Sequence, residues 1–591
     1  MKKTSISFAV FLAITIIALL TDYLVFFAKM PYILSLGISS LLLIIATVIK
    51  RKSIKKHVSF SFQKADILFF IILGVIFIAN IASTPVEYDV SNYHIYLQEN
   101  PFTDKINFDY FAGKSLNTFL FPLGDRIHYI ARFVLGYRLG VIISYLAMVC
   151  IYYQVKRLLS KTVKRKENHA LIPFAACFIA FSSRILDWWI NSYYIDIFSV
   201  IFVLEIIIHC LSVEKNSIIS NKKVFYLFIL TGLASAIKIT NLLLIIPILI
   251  FTKFAKKIKI KISTLLIASL FIVLPMLPYT IDNCIQTGSP LFPYYNKLFR
   301  SPYFAEDNFK DYRFNTSKIP LFIVWPVYTS VFNPRYGDNS GAYDPIWAVS
   351  YIAVLIILAI HVRSKHQKLS KEAVFVTELS LLTTFVWIFA VAGYMRYALV
   401  LPILYTSILM GRILEISNIK NIITYSVLCV FAILAPSTNY TRRVLWRDFD
   451  KLLIDRSVKV HIDGVWGVIG DDSALTTMIR EEGTPIYNID ILQHYNSETI
   501  AQKTREKIEN KEFYVIIESE PKSYYFDKYH YLKFRGYSIV EEVRKYNSDE
   551  LPYLTRDKDA TLYRVKYTGD FPESPVYNAK DFYPLESIVY D

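Results

Sequence analysis

Charge and cysteine are both scarce in this chain. Only 19% of its 591 residues are charged and five are cysteine. Soluble domains carry roughly 25% charged residues, so the shortfall argues against a large soluble core. Cys150, Cys177, Cys210 and Cys429 fall inside apolar runs, where thiols pack as small hydrophobes, and Cys284 has no evident partner. No disulfide framework is therefore encoded. The absence of a CxxC pair and of HExxH excludes a local zinc site. Neither GxGxxG nor a Walker pattern occurs, so Gly470-Asp471-Asp472 reads as a plain strand-to-helix turn. No small-residue cleavage site follows the apolar run after Met1-Lys2-Lys3, so the first helix is expected to stay in place. There is no internal repeat and no long low-complexity tract.

Apolar sequence is what the chain has in quantity. Hydrophobic residues make up 54% of it and mean hydropathy is +0.37. Runs long enough to cross a bilayer recur from Phe8 to Pro436, which predicts a polytopic α-helical membrane protein. Basic residues gather in short links between the runs, at Lys50–Lys56, Lys156–Lys166 and Lys253–Lys261. Such links are retained on the cytoplasmic side and meet anionic lipid headgroups. They account for much of the formal charge of +16. Nucleic acid is excluded as a partner, because its binding needs a basic face on a folded domain.

Placing those links inside predicts about thirteen transmembrane helices, with the N-terminus cytoplasmic. They are Phe8–Ala28, Tyr32–Ile49, Asp66–Ala82, Ile127–Tyr153, Ala170–Ser183, Tyr193–Leu211, two within Val224–Phe251, Ser263–Tyr279, Ile346–His361, Ala373–Ala392, Ala398–Leu414 and Ile422–Pro436. A single span over Val224–Phe251 would put Lys253–Lys261 outside. Two short helices meeting at Lys238-Ile239-Thr240-Asn241 keep that link inside. Residues 1–436 are thus expected to form the membrane domain, with outer loops over 83–126 and 282–345. Residues 437–591 are expected to form a soluble extracytoplasmic α/β domain. Its strands are placed near 467–470, 485–489, 513–518 and 561–566, with a helix over Ser473–Glu482. The location implied is the cytoplasmic (inner) membrane.

On this route the unusual charges share the outer side: Glu87, Asp89, His94, Asp187, Asp196, Lys238, Arg335, Asp338, Asp344 and Arg396. Carboxylates at a membrane boundary are costly to desolvate and tend to be kept for chemistry. Plainer readings stand beside that one. Asp89 has the place of an N-cap for a helix beginning at Val90. His94 can serve as a hydrogen-bonded interfacial histidine and Tyr93 as an interface anchor. Asp196 can cap or pack. Lys238, flanked by apolar sequence, costs on the order of 3 kcal/mol if unpaired at mid-membrane. It either snorkels to the interface or takes a partner such as an anionic ligand. Together the charges suit transfer of a sugar from a lipid phosphate. The attacking hydroxyl must lose a proton to a carboxylate, and the departing phosphate needs cations or a metal.

Several segments, in order, resemble the GT-C superfamily of polyprenyl-phosphate-sugar-dependent glycosyltransferases. The likeness is to bacterial members related to protein mannosyltransferases and to the aminoarabinose transferases of lipid A. Asp89 with Tyr93-His94 resembles the first-loop Asp followed by a Tyr-His pair. Tyr194-Ile195-Asp196 resembles the acidic start of a middle helix. Gly232 to Pro247 resembles the Gly-rich helix ending in Lys-Tyr-Thr, with Ile239 in place of the aromatic. Gly288 to Phe299 resembles the Gly-x-Pro-x-x-Pro loop, and Met395-Arg396-Tyr397 the late Arg-Tyr turn.

The resemblance implies a catalytic Asp89, with Glu87 and His94 beside it. It implies donor phosphate held by Lys238 and Arg396, to which Arg335 is added, and substrate contacts from Tyr93, Asp196 and Asn241. A divalent metal held by Asp89 and Asp196 is left open, and no other cofactor is implied. The partners implied are a polyprenyl-phosphate sugar, a glycan, lipid or protein acceptor, and membrane lipids, in cell-envelope glycan or glycoconjugate synthesis. Two departures bear on this. Glu87 precedes Asp89 by two positions, whereas the mannosyltransferases pair adjacent Asp-Glu. The WWDxG motif of oligosaccharyltransferases is absent, since Asp187 precedes Trp188-Trp189. The rival classes are a polysaccharide polymerase or ligase using diphosphate-linked glycans, and a transporter or flippase. The latter would show repeated halves and charges at mid-depth.

Overall fold

The computed structural model describes residues 4–59, 62–81, 89–102, 117–182, 190–302, 324–332, 344–363, 368–390, 394–416 and 426. Beyond these it describes 459–468, 475–476, 479–481, 484, 486–489, 510–518, 536–547, 550 and 559–569. Up to Ile416 the described chain is almost wholly helical. In chain order the helices used below are α1 (Ile6–Ala28), α2 (Tyr32–Ile49), α3 (Asp66–Ile81), α4 (Leu123–Leu139), α5 (Ile142–Thr162), α6 (Ile172–Ser182) and α7 (Asp196–Leu211). They continue as α8 (Asn221–Ile237), α9 (Asn241–Ala255), α10 (Ile262–Val273), α11 (Leu277–Thr287), α12 (Pro345–Arg363), α13 (Lys371–Ala390) and α14 (Val400–Ile416). Six described stretches are long and apolar enough to cross a membrane: α1, α2, α5, Ile262–Thr287, α12 and α13. The chain is a multi-span membrane protein.

Apolarity on every face puts α7 at the centre. Its Ile197, Phe198, Ile201, Phe202, Leu204 and Ile207 are buried on all sides, against α5, α8, α9 and α13. At the periphery, Leu41 and Ile44 of α2 and Leu266 and Leu270 of α10 stay exposed. Apolar residues turned outward are what a lipid environment requires. Gly232 lets α8 lie directly on α10: a Cβ there would stand 2.6 Å from the backbone carbonyls of Phe271 and Ile272.

Two chain breaks shape the site. The helix α8 stops at Ile237, Lys238 is extended (φ −155, ψ 117), and α9 begins at Asn241. This is the break expected at Lys238–Asn241. The other break is a correction. The single span expected over Ile127–Tyr153 is interrupted: Gly136 kinks α4 with φ 81 and ψ 177, and α5 starts only at Ile142. That backbone conformation is open to glycine and strained for other residues.

Beyond residue 459 lies a five-stranded sheet. Its strands are β3 (Trp466–Val468), β4 (Ile486–Asn488), β5 (Glu512–Glu518), β6 (Tyr537–Tyr546) and β7 (Ala560–Tyr567), in the order β4-β3-β5-β7-β6. The two-stranded pair β1 (Thr4–Ser5) and β2 (Val58–Ser59) lies near the chain start. The strands β3, β4 and β5 pair in parallel, and β7 joins β5 and β6 antiparallel. The edge strand β6 was not foreseen, because Glu541-Glu542-Val543-Arg544-Lys545 carries too much charge to read as a strand. Most of the expected helix Ser473–Glu482, and all but Ser426 of Ile422–Pro436, lie outside the described residues. Arg480, buried, reaches Glu99 with Nη2 donating to Oε2 at 2.6 Å, and Glu99 also accepts from Arg132.

Candidate functional site

Asp89 enters a helical turn, Val90–His94, that runs on into the short helix Ile95–Glu99. Ile95, Tyr96 and Leu97 seat this segment in the bundle. Asp89 makes no capping bond to the turn that it opens. Its Oδ2 instead accepts from Arg396 Nη1 at 2.5 Å. Arg396 comes from a 3₁₀ turn, Met395–Ala398, just before α14. The same guanidinium donates through Nε to Asp196 Oδ2 at 2.8 Å, so one arginine joins two carboxylates from distant parts of the chain.

Asp196 is the first residue of α7, and its second oxygen accepts from Lys238 Nζ in the α8–α9 break. Aromatic faces cover the cations. The Tyr194 ring centre lies 4.3 Å from the Arg396 guanidinium carbon, and that of Tyr397 lies 4.0 Å from Lys238 Nζ. Cation–π contacts of this kind stabilise a partly desolvated charge without neutralising it.

Asn241 donates through Nδ2 to Ser199 Oγ at 2.9 Å and to the Ala234 carbonyl at 2.7 Å. Its amide therefore closes the break that presents Lys238. Tyr93 is buried, with its ring centre 4.3 Å from that of His94. Glu87 and Arg335, together with Asp187 and Asp338, lie outside the described residues. Asp344 caps α12, its Oδ1 accepting from Trp347 N at 3.2 Å.

Sequence reasoning passed over Asp125. From the first turn of α4 its Oδ1 accepts from His94 Nδ1 at 2.7 Å, with both side chains buried. Among the described residues, His94 Nε2 and Asp125 Oδ2 have no hydrogen-bond partner. In this tautomer the unpartnered Nε2 is an acceptor. The sequence Leu123-Gly124-Asp125-Arg126 carries no signal that would single the residue out, because its partner stands 31 positions away.

Asp196, Lys238 and Arg396 line a small, partly open cleft with Ser199, Asn241 and Tyr397, and its walls include Val200, Val203, Leu244, Leu399 and Val400. Its ionic and polar groups thus stand beside apolar wall. Burial pushes the Asp89 carboxyl up, but Arg396 outweighs it and holds the group below the usual carboxylate range. Burial pushes the Lys238 ammonium down to about 8, against the upward pull of Asp196. Among the described residues no group of three or more His, Cys, Asp or Glu is placed to hold a metal ion. Asp89 and Asp196 both accept from cations, a donor set that leaves no free carboxylate pair for one.

Comparison with known proteins gives distant relatives. A family model described as a domain of unknown function, DUF8201, matches residues 129–403. That range takes in Asp196, Lys238 and Arg396 but stops short of Asp89 and His94. Two crystal structures of ArnT from Cupriavidus metallidurans are similar at 10% identity, each covering 84% of this chain and 97% of that one. One is bound to undecaprenyl phosphate, with a TM-score of 0.46, and the other is the apo state, with 0.47. No curated protein matches the chain.

Proposed function

We propose that the protein is an integral-membrane glycosyltransferase of the GT-C type. It takes a sugar from a polyprenyl-phosphate donor at the outer face of the cytoplasmic membrane and passes it to an acceptor of the cell envelope. The observation that carries this reading is Arg396 joining Asp89 and Asp196 beside Lys238 at a cleft with apolar wall. The remaining topology belongs to the same proposal. It comprises about thirteen spans, an N-terminus inside, a membrane domain over 1–436 and an extracytoplasmic α/β domain over 437–591.

In the reaction the acceptor O–H bond breaks as oxygen bonds to the anomeric carbon. The carbon–oxygen bond to the lipid phosphate breaks in the same displacement. Arg396 and Lys238 receive the charge that builds on the departing phosphate, which needs cations rather than a general acid. Asp89 takes the proton of the attacking hydroxyl, as a partly exposed carboxylate beside the cations. One observation favours a second recipient. Arg396 lowers the basicity of Asp89, while Asp125 orients His94, whose buried Nε2 has no hydrogen-bond partner among the described residues. His94 is then the base and Asp125 its positioning residue.

The test is transfer by purified protein supplied with polyprenyl-monophosphate sugars. Asp89→Asn and His94→Gln should each lower the rate by about 10²–10⁴-fold if the residue accepts the proton. Undiminished transfer in either variant removes that residue from the step. Consumption of diphosphate-linked glycans alone would favour the polymerase or ligase class instead.

A further inference from the structure

A second cavity opens at the opposite end of the bundle. Ser144, near the start of α5, donates to the Ser192 carbonyl at 2.9 Å, so that end of α5 adjoins Asp196. The other end of this 21-residue helix is about 30 Å away, a bilayer core's thickness. There α5, the start of α13 and the end of α14 line a partly open cavity.

Lys164, Lys368 and Arg412 line it, with Leu158, Val376 and Ile408 forming apolar wall. Several cations near this end have partners: Lys156 has Asp66, Arg157 has Glu205, Arg165 has Glu167, and Lys161 donates to Ser212 Oγ. Lys164, Lys368 and Arg412 make no ion pair among the described residues. Glu415 also lines it, but its Oε1 is engaged by backbone, accepting from the N–H groups of Lys164 and Arg165. Ser370 caps the start of α13, with Ala373 N donating to its Oγ at 3.0 Å. Three cations without anionic partners therefore surround a cavity whose deeper wall is apolar.

We propose that this cavity holds the phosphodiester headgroup of an anionic phospholipid, with an acyl chain along Leu158, Val376 and Ile408. The three cations replace the water and counterions of the phosphate. The basic link Lys156–Lys166 beside it marks the leaflet as the cytoplasmic one, where anionic lipid collects polybasic segments. This site stands apart from the glycosyltransferase reading and survives its failure.

Native mass spectrometry of the full chain in mild detergent tests the proposal, with phosphatidylglycerol or phosphatidylcholine added. The wild type should retain phosphatidylglycerol in preference. The triple variant K164Q/K368Q/R412Q should lose that retention by roughly tenfold or more. A charge-matched control, R51Q/K52Q/K55Q on the exposed segment Arg51–His57, should keep it. Gly411→Leu keeps every charge and fills the space, and a Cβ there meets only ordinary contacts at 3.7 Å or more. It should lose the lipid as well. Equal retention in the wild type and the triple variant, equal loss in the control, or retention by Gly411→Leu would overturn the assignment. Thermal stabilisation by inorganic phosphate equal to that by the lipid would give the site to free phosphate and also overturn it.

Discussion

Asp66 and Asp196 are both buried aspartates held by lysine, and Asp196 lines a cleft. Asp66 accepts from Lys156 at 2.5 Å, from Tyr152 at 2.6 Å and from the backbone of Gln63 at 2.9 Å. Lys156 and Tyr152 both project from α5, which packs rigidly in the core. The partners of Asp196 sit on turns, Lys238 in the α8–α9 break and Arg396 in the 3₁₀ turn before α14. Partners on a packed helix close a charge off, whereas partners on turns can be shared with an incoming anion. The two aspartates are equally buried, at 0% and 1%; the difference lies in their partners, with Lys238 18% exposed against 9% for Lys156 and with Asp89, on the same arginine as Asp196, 26% exposed.

The largest effect expected from this contrast is at Arg396. Arg396→Lys keeps the charge but cannot bridge two carboxylates through Nε and Nη1. Transfer should fall by about 10²–10³-fold, measured as kcat/KM with a polyprenyl-monophosphate sugar. Asp66→Ala should do the reverse, leaving Lys156 uncompensated and lowering unfolding free energy by about 3–5 kcal/mol. Thermal unfolding in detergent should show the loss, while activity per folded molecule stays near wild type. If Asp66→Ala abolished activity without destabilising the protein, the division between the two sites would fail.

The next effect depends on pH. With the Lys238 pKa depressed to about 8, the ammonium is present below that value and lost above it. Donor capture should therefore fall as pH rises through about 8, roughly tenfold by pH 9. The limb should move to higher pH in Lys238→Arg, read from kcat/KM profiles. The smallest effect belongs to Gly136, where alanine at φ 81 should cost about 1–2 kcal/mol of stability. Its readout is the thermal midpoint, with little change in KM for the donor.

Local pattern made several features legible. Long apolar runs gave the helices, and the charge rule placed a break at Lys238 that the backbone contains. Asp89, Asp196, Lys238 and Arg396 stood out because charge is rare in such surroundings, and they meet in one cluster. Their connection through a single guanidinium was not legible, since nothing local sets a contact across 307 positions. Asp125 escaped notice for the same reason. Gly136 lies in a run apolar enough to pass for one span, and only its backbone angles reveal the bend.

The double attachment of Glu99 has a mechanical consequence. Arg132 grips it from the bundle and Arg480 from beyond residue 437, and Glu99 ends the short segment that begins next to Asp89. The stretch holding Arg480, bridged to Val460, is thereby tethered ten residues along the chain from Asp89, the carboxylate to which the proposed reaction gives the proton.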